Sequence, residues 1–312
     1  MLYHTILVTG CAGDIGLGIG RILKMSGASE KIIGCDLNDD HPGIHVFDKC
    51  EVIQRADSEN FIETLYVTII KHSVDLIIPT SEPELRVLLV KGFLDSINNI
   101  PVVLANKKAM IIGFDKLKTA DFLRSNDFPY PLTKVVKDGL PERFPCIIKS
   151  RYGAGSRDVL LVDEELSGYY SKKRPEDIWQ EYLEPNNQEY TCGVYRSKTG
   201  EIRTIIIKRR LKDGITVYGE VVDNSDIKKI LNRLADAIDL CGSINVQLRL
   251  TDRGPVIFEI NPRFSSTVVF RHMLGFEDVI WSLSEKRGDP LKHYKPVTPG
   301  TKLYRLSQEV VI

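Results

Sequence analysis

Regular alternation of short apolar strands with helical segments over the first hundred residues is the feature that most restricts the fold of this chain. Predicted strands such as "TILVTG", "KIIGCDL" and "VDLIIPTSE" are separated by helical stretches near residues 16–26, 58–71 and 83–93. Such alternation produces a parallel sheet covered by helices. The sequence therefore predicts a parallel α/β domain over residues 1–104.

The alternation stops near Ala105, and strands joined by turns follow. After one helix near residues 115–126, segments such as "FPCIIKS", "EYTCGVYR" and "EIRTIIIKRRL" are separated by turn signals such as "KTGE" and "KDGI". This spacing is typical of antiparallel hairpins. A second domain of α+β type is therefore expected over residues 105–312.

Composition restricts the partners and the compartment. Lys plus Arg equals Asp plus Glu at 42 each, so no net field attracts nucleic acid or an anionic membrane. No apolar stretch approaches the roughly 20 residues that cross a bilayer. The six cysteines are widely spaced, which predicts neither a metal cluster nor a disulfide framework: Cys11, Cys35, Cys50, Cys146, Cys192 and Cys241. We expect a cytoplasmic protein with no nucleic-acid or membrane partner.

A glycine loop follows the first predicted strand and permits an alternative function. "VTGCAGDIG" places Gly10, Gly13 and Gly16 three residues apart, and Asp36 closes the next strand. The loop resembles the nucleotide loop of short-chain dehydrogenases and sugar epimerases, in which backbone approaches a pyrophosphate. The structural alternative is a tight strand-to-helix turn of any α/β domain.

Three further residues have the spacing of the proton-transfer residues of those dehydrogenases: Ser156, Tyr169 and Lys173. In such enzymes the tyrosine and lysine lie one turn apart on a long helix. Here Gly168 and Pro175 limit any helix to about two turns, and an exposed linker is the alternative. An oxidoreductase or epimerase that uses NAD(P) is therefore kept as the second hypothesis.

Polar side chains alternate along one predicted strand near the C-terminal end. In "NVQLRLTDRGPVIFEINPRF", residues at every second position share a face, so Asn245 and Gln247 can meet Glu259, Asn261 and Arg263 across a hairpin. The oxygen atoms of Gln247, Glu259 and Asn261 suit Mg²⁺. Arg263 offers a fork for a phosphoryl group. The hairpin predicts a site where a divalent cation meets phosphate.

This hairpin resembles that of the ATP-grasp enzymes, and its local sequence is similar to that of the synthetase halves of the carbamoyl-phosphate synthase large subunit. The resemblance covers most of residues 105–270. It implies a Rossmann-like pre-ATP-grasp domain over residues 1–104 and an ATP-grasp domain with a small lid subdomain at about 115–180 and a large subdomain at about 181–312. The implied cofactors are ATP and Mg²⁺, for which Mn²⁺ could substitute.

The same resemblance implies a set of phosphate-binding residues. Lys149 would neutralise the α- and β-phosphates, and Lys116 would be the second basic group, with a solvated surface lysine as the alternative for each. Backbone amides of a small-residue loop would close over the phosphates: Gly153, Ala154, Gly155 and Ser156.

An adenine hinge is implied by "DIWQEYLEPNNQEYTCGVY". Backbone around Glu181, Tyr182 and Leu183 would pair with the purine. Glu189 would accept the ribose hydroxyls, unless it is only a charge on an edge strand.

Three consecutive basic residues, 208–210, follow a strand, and the resemblance implies that this segment faces the γ-phosphate. Neighbours on a strand point to opposite faces, so at least one of the three is solvated. We assign Lys208 and Arg210, together with Arg263, to the phosphoryl group.

The reaction implied by the resemblance is ATP-dependent joining of a small carboxylate to an amine through an acyl phosphate. A single ATP-grasp unit without an ammonia-supplying domain favours a small stand-alone ligase over full carbamoyl-phosphate synthesis. A nucleotide-binding protein or kinase without ligase activity is the third hypothesis. We expect small-molecule substrates and a homodimer.

Substrate contacts are predicted at the strand ends of the first domain and near the C-terminal half. Ligands of open α/β sheets gather at such strand ends. The alternatives are that Glu82 and Glu84 cap the helix that begins near Pro83, and that Arg271 and His272 are a helix-surface pair. The candidates are Thr9, Gly10, Ser81, Glu82, Arg271 and His272.

Overall fold

The computed structural model describes residues 2–153 and 159–306, and its first part is a parallel sheet covered by helices. The strands are β1 Tyr3–Thr9, β2 Ser29–Asp36, β3 Lys49–Val52 and β4 Leu76–Ile78, and the helices are α1 Asp14–Ser26, α2 Phe61–His72 and α3 Glu82–Lys91. The strand order is β3-β2-β1-β4, with every pairing parallel. The centre of β1 is fully buried, because helices cover both faces of a parallel sheet. The predicted strand-helix alternation is confirmed.

A short connection and two helices lead out of this sheet. The connection is the hairpin of β5 Ser96–Ile97 and β6 Ile100–Pro101, and the two helices are α4 Lys107–Gly113 and α5 Lys116–Ser125. Asn106 donates from its side chain to the Ile238 carbonyl at 3.1 Å and from its backbone to the Cys241 carbonyl at 3.1 Å. Residue 106 is therefore attached to the second half of the chain, while the boundary after residue 104 stays a prediction.

An antiparallel sheet of four short strands follows. Its elements are β7 Thr133–Val135, β8 Cys146–Lys149, β9 Leu160–Val162, α6 Glu164–Lys173 and β10 Ile178–Glu181, and the strand order is β7-β10-β8-β9. Buried apolar side chains, including the Trp179 indole, pack on one of its faces. The expectation of antiparallel strands in this region is confirmed.

The largest sheet has six antiparallel strands. Its elements are β11 Glu189–Arg196, β12 Ile202–Lys212, β13 Ile215–Val221, α7 Ser225–Ala237, β14 Gly242–Thr251, β15 Gly254–Asn261, α8 Val268–Met273, α9 Asp278–Arg287 and β16 Lys302–Tyr304. The strand order is β15-β14-β11-β12-β13-β16. Helix α7 buries its apolar side in the core of this half, which leaves the opposite face of the sheet to form a site.

The predicted polar hairpin forms between β14 and β15. Asn245 lies opposite Asn261, and Gln247 lies opposite Glu259. A two-residue turn joins the strands, and Gly254 after it has φ +86°, a conformation that glycine adopts without strain. The register brings the polar residues onto neighbouring positions, as the sequence predicts. In the described ranges, no helix is long and apolar enough to span a membrane.

Candidate active site

A cavity of about 1280 Å³ lies where the edges of the three sheets meet. The loops after β1 and β4 line one end of it, the ends of β8 and β10 line the roof, and β14 and β15 line the floor. The space is lined by residues that are far apart in sequence, among them Gly10, Lys149 and Glu259. The predicted substrate end and the predicted nucleotide end therefore belong to one cavity.

Lys149, at the end of β8, is the most deeply buried basic residue of the cavity, with 6% of its surface exposed. Its Nζ lies 5.7 Å from the centre of the Phe258 ring, and it makes no hydrogen bond or ion pair with the described residues. Burial lowers the pKa of Lys149 to about 8, and the nearby Lys116 adds to the effect against the opposing attraction of Glu259. An anion in the cavity would supply the partner that this ammonium group lacks.

Lys116, the first residue of α5, extends toward the predicted phosphate loop. Its Nζ donates to the Gly153 carbonyl at 2.7 Å, and Gly153 has φ +91°. Asp115 caps this helix and forms a two-bond ion pair with Arg151, at 2.9 and 2.7 Å. The strand end before the loop is thereby fixed to α5. Ala154, Gly155 and Ser156 lie outside the described residues.

Glu189 is held by two arginines at the floor of the cavity. Arg209 Nη2 and Arg249 Nη2 each donate to its carboxylate at 2.7 Å. Burial alone would favour the neutral acid, but the two guanidinium groups lower the pKa of Glu189. Arg209 also donates to Gln247 Oε1 at 2.8 Å. The ribose role of Glu189 stays a prediction, and the structure shows the carboxylate already paired.

The predicted hinge residues Glu181, Tyr182 and Leu183 all line the cavity. The Glu181 side chain accepts a hydrogen bond from the Leu132 backbone at 3.1 Å and pairs with Arg253 at 2.7 Å. Its carboxylate is therefore used to fix the segment, which leaves backbone groups as the part that could contact a base.

The three predicted metal ligands lie together on β14 and β15, and all three line the cavity. Glu259 and Asn261 make no side-chain hydrogen bonds with the described residues, although Asn261 is buried. Buried polar groups are normally satisfied, so these oxygen atoms fit a hard cation such as Mg²⁺. Gln247 Oε1 is engaged by Arg209 and keeps a second lone pair.

Arg263 follows the hairpin and lines the same cavity. Its Nη1 donates to the Phe264 carbonyl at 3.0 Å. Burial lowers the pKa of Arg263, and the carboxylates of Glu82 and Glu259 oppose that effect. Arg263 therefore lies between the predicted metal ligands and the substrate end of the cavity.

Comparison with known proteins shows which chains this protein is similar to. A family described as "ATP-grasp in the biosynthetic pathway with Ter operon" matches residues 173–308. The N5-carboxyaminoimidazole synthetase from Staphylococcus aureus, solved with ADP, superposes with a TM-score of 0.73 at 18% identity, over 96% of this chain and 80% of that one. The chain has the ATP-grasp fold.

Two curated relatives match only part of the chain. A carbamoyl-phosphate synthase of Methanobrevibacter smithii is 26% identical over 113 residues, 33% of this chain and 31% of the relative. A D-alanine–D-alanine ligase of Mycobacterium sp. (strain KMS) is 29% identical over 221 residues, 59% of each. The chain thus spans less than two thirds of either relative. The predicted resemblance to ATP-grasp enzymes and the α/β fold class are confirmed.

The assignment of Lys208 and Arg210 to the phosphoryl group needs correction, because neither residue lines the cavity. Side chains alternate along β12, and Arg209 is the one that reaches Glu189 and Gln247. The Arg210 guanidinium instead lies 4.2 Å from the centre of the Tyr218 ring. The sequence showed that the three residues alternate, but not which of them faces inward.

Arg271 and His272 are likewise absent from the cavity lining. The burial of Arg271 contradicts its predicted contact with a second substrate, whereas the contact predicted for His272 stays a prediction. Arg271 is fully buried, and its Nη2 lies 3.0 Å from Asp278 Oδ2. Gly193 on β11 leaves room for this guanidinium, since a Cβ there would lie 2.6 Å from Nη1. Arg271 is therefore a core residue.

At the substrate end, Gly10, Ser81 and Glu82 line the cavity, whereas Thr9 does not. Thr9 is buried and donates from Oγ1 to Glu84 at 2.5 Å, and Ser81 and Glu84 form a capping box at the start of α3. The capping alternative is thus confirmed for Glu84. Thr9 positions that residue and cannot touch a ligand in the cavity.

Two of the residues that suggested a dehydrogenase, Tyr169 and Lys173, lie away from the cavity. Lys173 Nζ donates to Tyr169 Oη at 2.9 Å on the exposed side of α6, so the predicted linker is a helix, but neither residue lines the cavity. Ser156 lies outside the described residues. A Cβ on Gly16 would collide with the Gly10 carbonyl, and Gly10 has φ +60°. Close packing and a turn conformation at the strand-to-helix junction therefore explain these two glycines.

The sequence reasoning did not assign a role to either of the two arginines that pair with Glu189, Arg209 and Arg249. Arg249 follows Gln247 by two positions on the same strand, so the period-2 pattern that selected Gln247 could have selected it as well. Arg209 depended on the phase of β12, for which the sequence carried no separate signal.

Proposed function

We propose that this protein is an ATP- and Mg²⁺-dependent ligase that joins a small carboxylate to an amine through an acyl phosphate. The observation that supports it best is the single cavity in which buried Lys149 and Lys116 share space with the oxygen donors Gln247, Glu259 and Asn261. Phosphoryl transfer requires positioning and charge neutralisation more than a protein nucleophile. The cavity residues supply those two elements.

The nucleotide would lie between the hinge at residues 181–183 and the two lysines. Lys116 and Lys149 would contact its phosphates, and Gln247, Glu259 and Asn261 would hold Mg²⁺, which neutralises charge on the phosphate oxygens when bound. Glu189 would have to release one of its arginines or share it with the triphosphate.

The acceptor carboxylate would lie near Arg263, between the nucleotide and the loops of the first sheet. One carboxylate oxygen attacks the γ-phosphorus, the bond from phosphorus to the ADP oxygen breaks, and an acyl phosphate forms. The neutral amine then attacks the acyl carbon, phosphate leaves, and the amine proton is released. Arg263 and Arg209 would hold the phosphoryl oxygens. Gly10, Ser81 and Glu82 offer polar groups to the amine or to hydroxyl groups of the substrate.

The experiment is phosphate release measured with MgATP over a panel of amino acids and other small carboxylates, each with and without an amine. Glu259→Gln keeps the shape but removes the charged oxygen donor, so we expect release to fall at least about hundredfold. Lys208→Ala, on the same sheet but outside the cavity, is the matched control and should retain full activity.

A ligand-binding measurement separates the alternatives. MgATP should raise the melting temperature with the logarithm of its concentration, and Glu259→Gln should remove the part of this shift that depends on Mg²⁺. A shift with MgATP without phosphate release under any substrate pair would support a nucleotide-binding protein without ligase activity. A shift with NADP and none with MgATP would refute the proposal.

A further inference from the structure

Two cysteines and a histidine that are distant in sequence meet behind the glycine loop. The Cys11 and Cys50 sulfur atoms and a ring nitrogen of His41 all lie within 4.8 Å of one another. This corrects the sequence expectation that the cysteines form no cluster. Cys11 follows β1, Cys50 is in β3, and His41 immediately precedes a short 3-10 helix.

A missing side chain in the intervening strand brings the two sulfur atoms together. Gly34 of β2 lies between the loop after β1 and strand β3, and it is the register partner of Cys50. A Cβ on Gly34 would lie 2.8 Å from Cys11 Sγ and 2.9 Å from Cys11 Cβ. The Cys11 side chain therefore occupies the place of a residue-34 side chain, and its sulfur lies within 4.8 Å of the Cys50 sulfur.

The hydrogen bonds of His41 decide between a metal site and a thiol pair. The Gly43 backbone donates to His41 Nδ1 at 3.0 Å, so in the neutral ring the proton is on Nε2. Nε2 lies 3.7 Å from Cys11 Sγ. A nitrogen that carries a proton has no lone pair for a metal, whereas its N–H can donate to sulfur. The arrangement favours chemistry between the two thiols.

We propose that Cys11 and Cys50 form a reversible intramolecular disulfide when the protein meets a hydroperoxide. Cys50 is only half-buried and Cys11 is fully buried, so the oxidant reaches Cys50 first. The Cys50 thiolate attacks one peroxide oxygen, the O–O bond breaks, and the departing oxygen takes a proton to become water. Cys11 sulfur then attacks the Cys50 sulfenic acid, the S–O bond breaks, and the Cys11 proton leaves with that oxygen as a second water. The two thiols lose two electrons, which reduce one hydrogen peroxide.

The electrostatic surroundings set the rate of the first step. Burial raises the pKa of Cys50, and the negative charges of Asp36 and Glu51 raise it further. The neighbouring Cys11 thiol and Lys49 lower it. Burial also raises the pKa of Cys11. Because only the thiolate reacts, oxidation should be slow near pH 7 and should accelerate about tenfold per pH unit below the pKa of Cys50.

The disulfide would tie the glycine loop to β3. Gly10 and Ala12, on either side of Cys11, line the large cavity, and the Ala12 backbone donates to Asp36 at 2.8 Å. Oxidation would therefore fix one wall of the substrate end. The inference concerns the two thiols and does not depend on ligase activity.

The test treats the reduced full-length protein with hydrogen peroxide at several pH values. Intact mass and non-reducing peptide mapping should show the loss of two hydrogens and a Cys11–Cys50 linked peptide, both reversed by dithiothreitol. Cys50→Ser should remove the link. Gly34→Ala should slow linking at least about tenfold, because its Cβ displaces Cys11 Sγ.

Cys241 provides the matched control, since it is also half-buried but does not belong to the cluster of Cys11, His41 and Cys50. Cys241→Ser should leave the linking rate unchanged. Oxidation of Cys50 to a sulfinic acid with Cys11 still free would overturn the proposal. So would a stoichiometric zinc ion, detected by elemental analysis of the untreated protein and lost in Cys50→Ser.

Discussion

The affinity for MgATP should fall as pH rises from 7 to 9, because the cavity holds a lysine that loses its charge in this range. Burial lowers the pKa of Lys149 to about 8 in the ligand-free protein. The ammonium group is therefore charged below about pH 8 and neutral above it. A bound triphosphate would favour the charged form and return the pKa toward the ordinary value of about 10.4.

The size of the effect follows from these two values. With a pKa of about 8, about nine tenths of Lys149 is protonated at pH 7 and about one tenth at pH 9, whereas the complex stays protonated throughout. The dissociation constant should therefore rise about tenfold, which equals about 1.4 kcal/mol. Near pH 8, binding should take up about half a proton.

Isothermal titration calorimetry with MgATP at pH 7, 8, 8.5 and 9 measures both quantities, since buffers of different ionisation heat report the proton uptake. The control is Lys149→Arg, which keeps a charge at all these pH values and should show a flat profile. A wild-type dissociation constant that changes less than about twofold between pH 7 and 9, or an equal slope in the arginine variant, would refute the role of Lys149.

Four further changes test the cavity and its supports. Arg209→Ala should weaken MgATP binding by at least about tenfold through the loss of a charge-assisted contact, whereas Lys208→Ala should change it less than about twofold, both by calorimetry. Asp115→Ala removes a helix cap and a paired carboxylate, so urea unfolding should show a loss of about 1–3 kcal/mol. Gly193→Ala, which forces a Cβ against a buried guanidinium, should cost about 1–3 kcal/mol in the same assay. Lys149→Met should stabilise the ligand-free protein by about 1–3 kcal/mol at pH 7, an effect that should shrink above about pH 8 and vanish above about pH 10.5, because the unfolded chain keeps this lysine protonated up to its ordinary pKa.

Local sequence patterns were sufficient to predict a structural feature where a short stretch of chain determines its geometry. The strand-helix alternation before residue 105 defines a parallel sheet almost by itself. The polar hairpin was predictable because a two-residue turn at Asp252 joins its two strands. The sequence did not indicate the β-bulge between Gln247 and Leu248, which shifts the register by one residue and places Gln247 opposite Glu259. A period of two then orders the remaining polar residues on that face.

Features set by distant parts of the chain could not be predicted. The inward direction of Arg209 depends on which face of β12 borders the cavity, and Lys208 and Arg210 fit the same local pattern. Arg271 looked exposed on a short helix, but Asp278 and the space at Gly193 receive it in the core. The meeting of Cys11 with Cys50 requires the parallel sheet to be in place first.

The carboxylate of Glu189 has a consequence for how the cavity accepts a nucleotide. Because Glu189 already serves as counterion to Arg209 and Arg249, an incoming triphosphate would replace one anion by another at these guanidinium groups. Among the cavity cations assigned to phosphate, Lys116, Lys149 and Arg263 would gain a new anionic neighbour. The ionic-strength dependence of nucleotide binding should accordingly be shallower than the number of basic side chains around the cavity suggests.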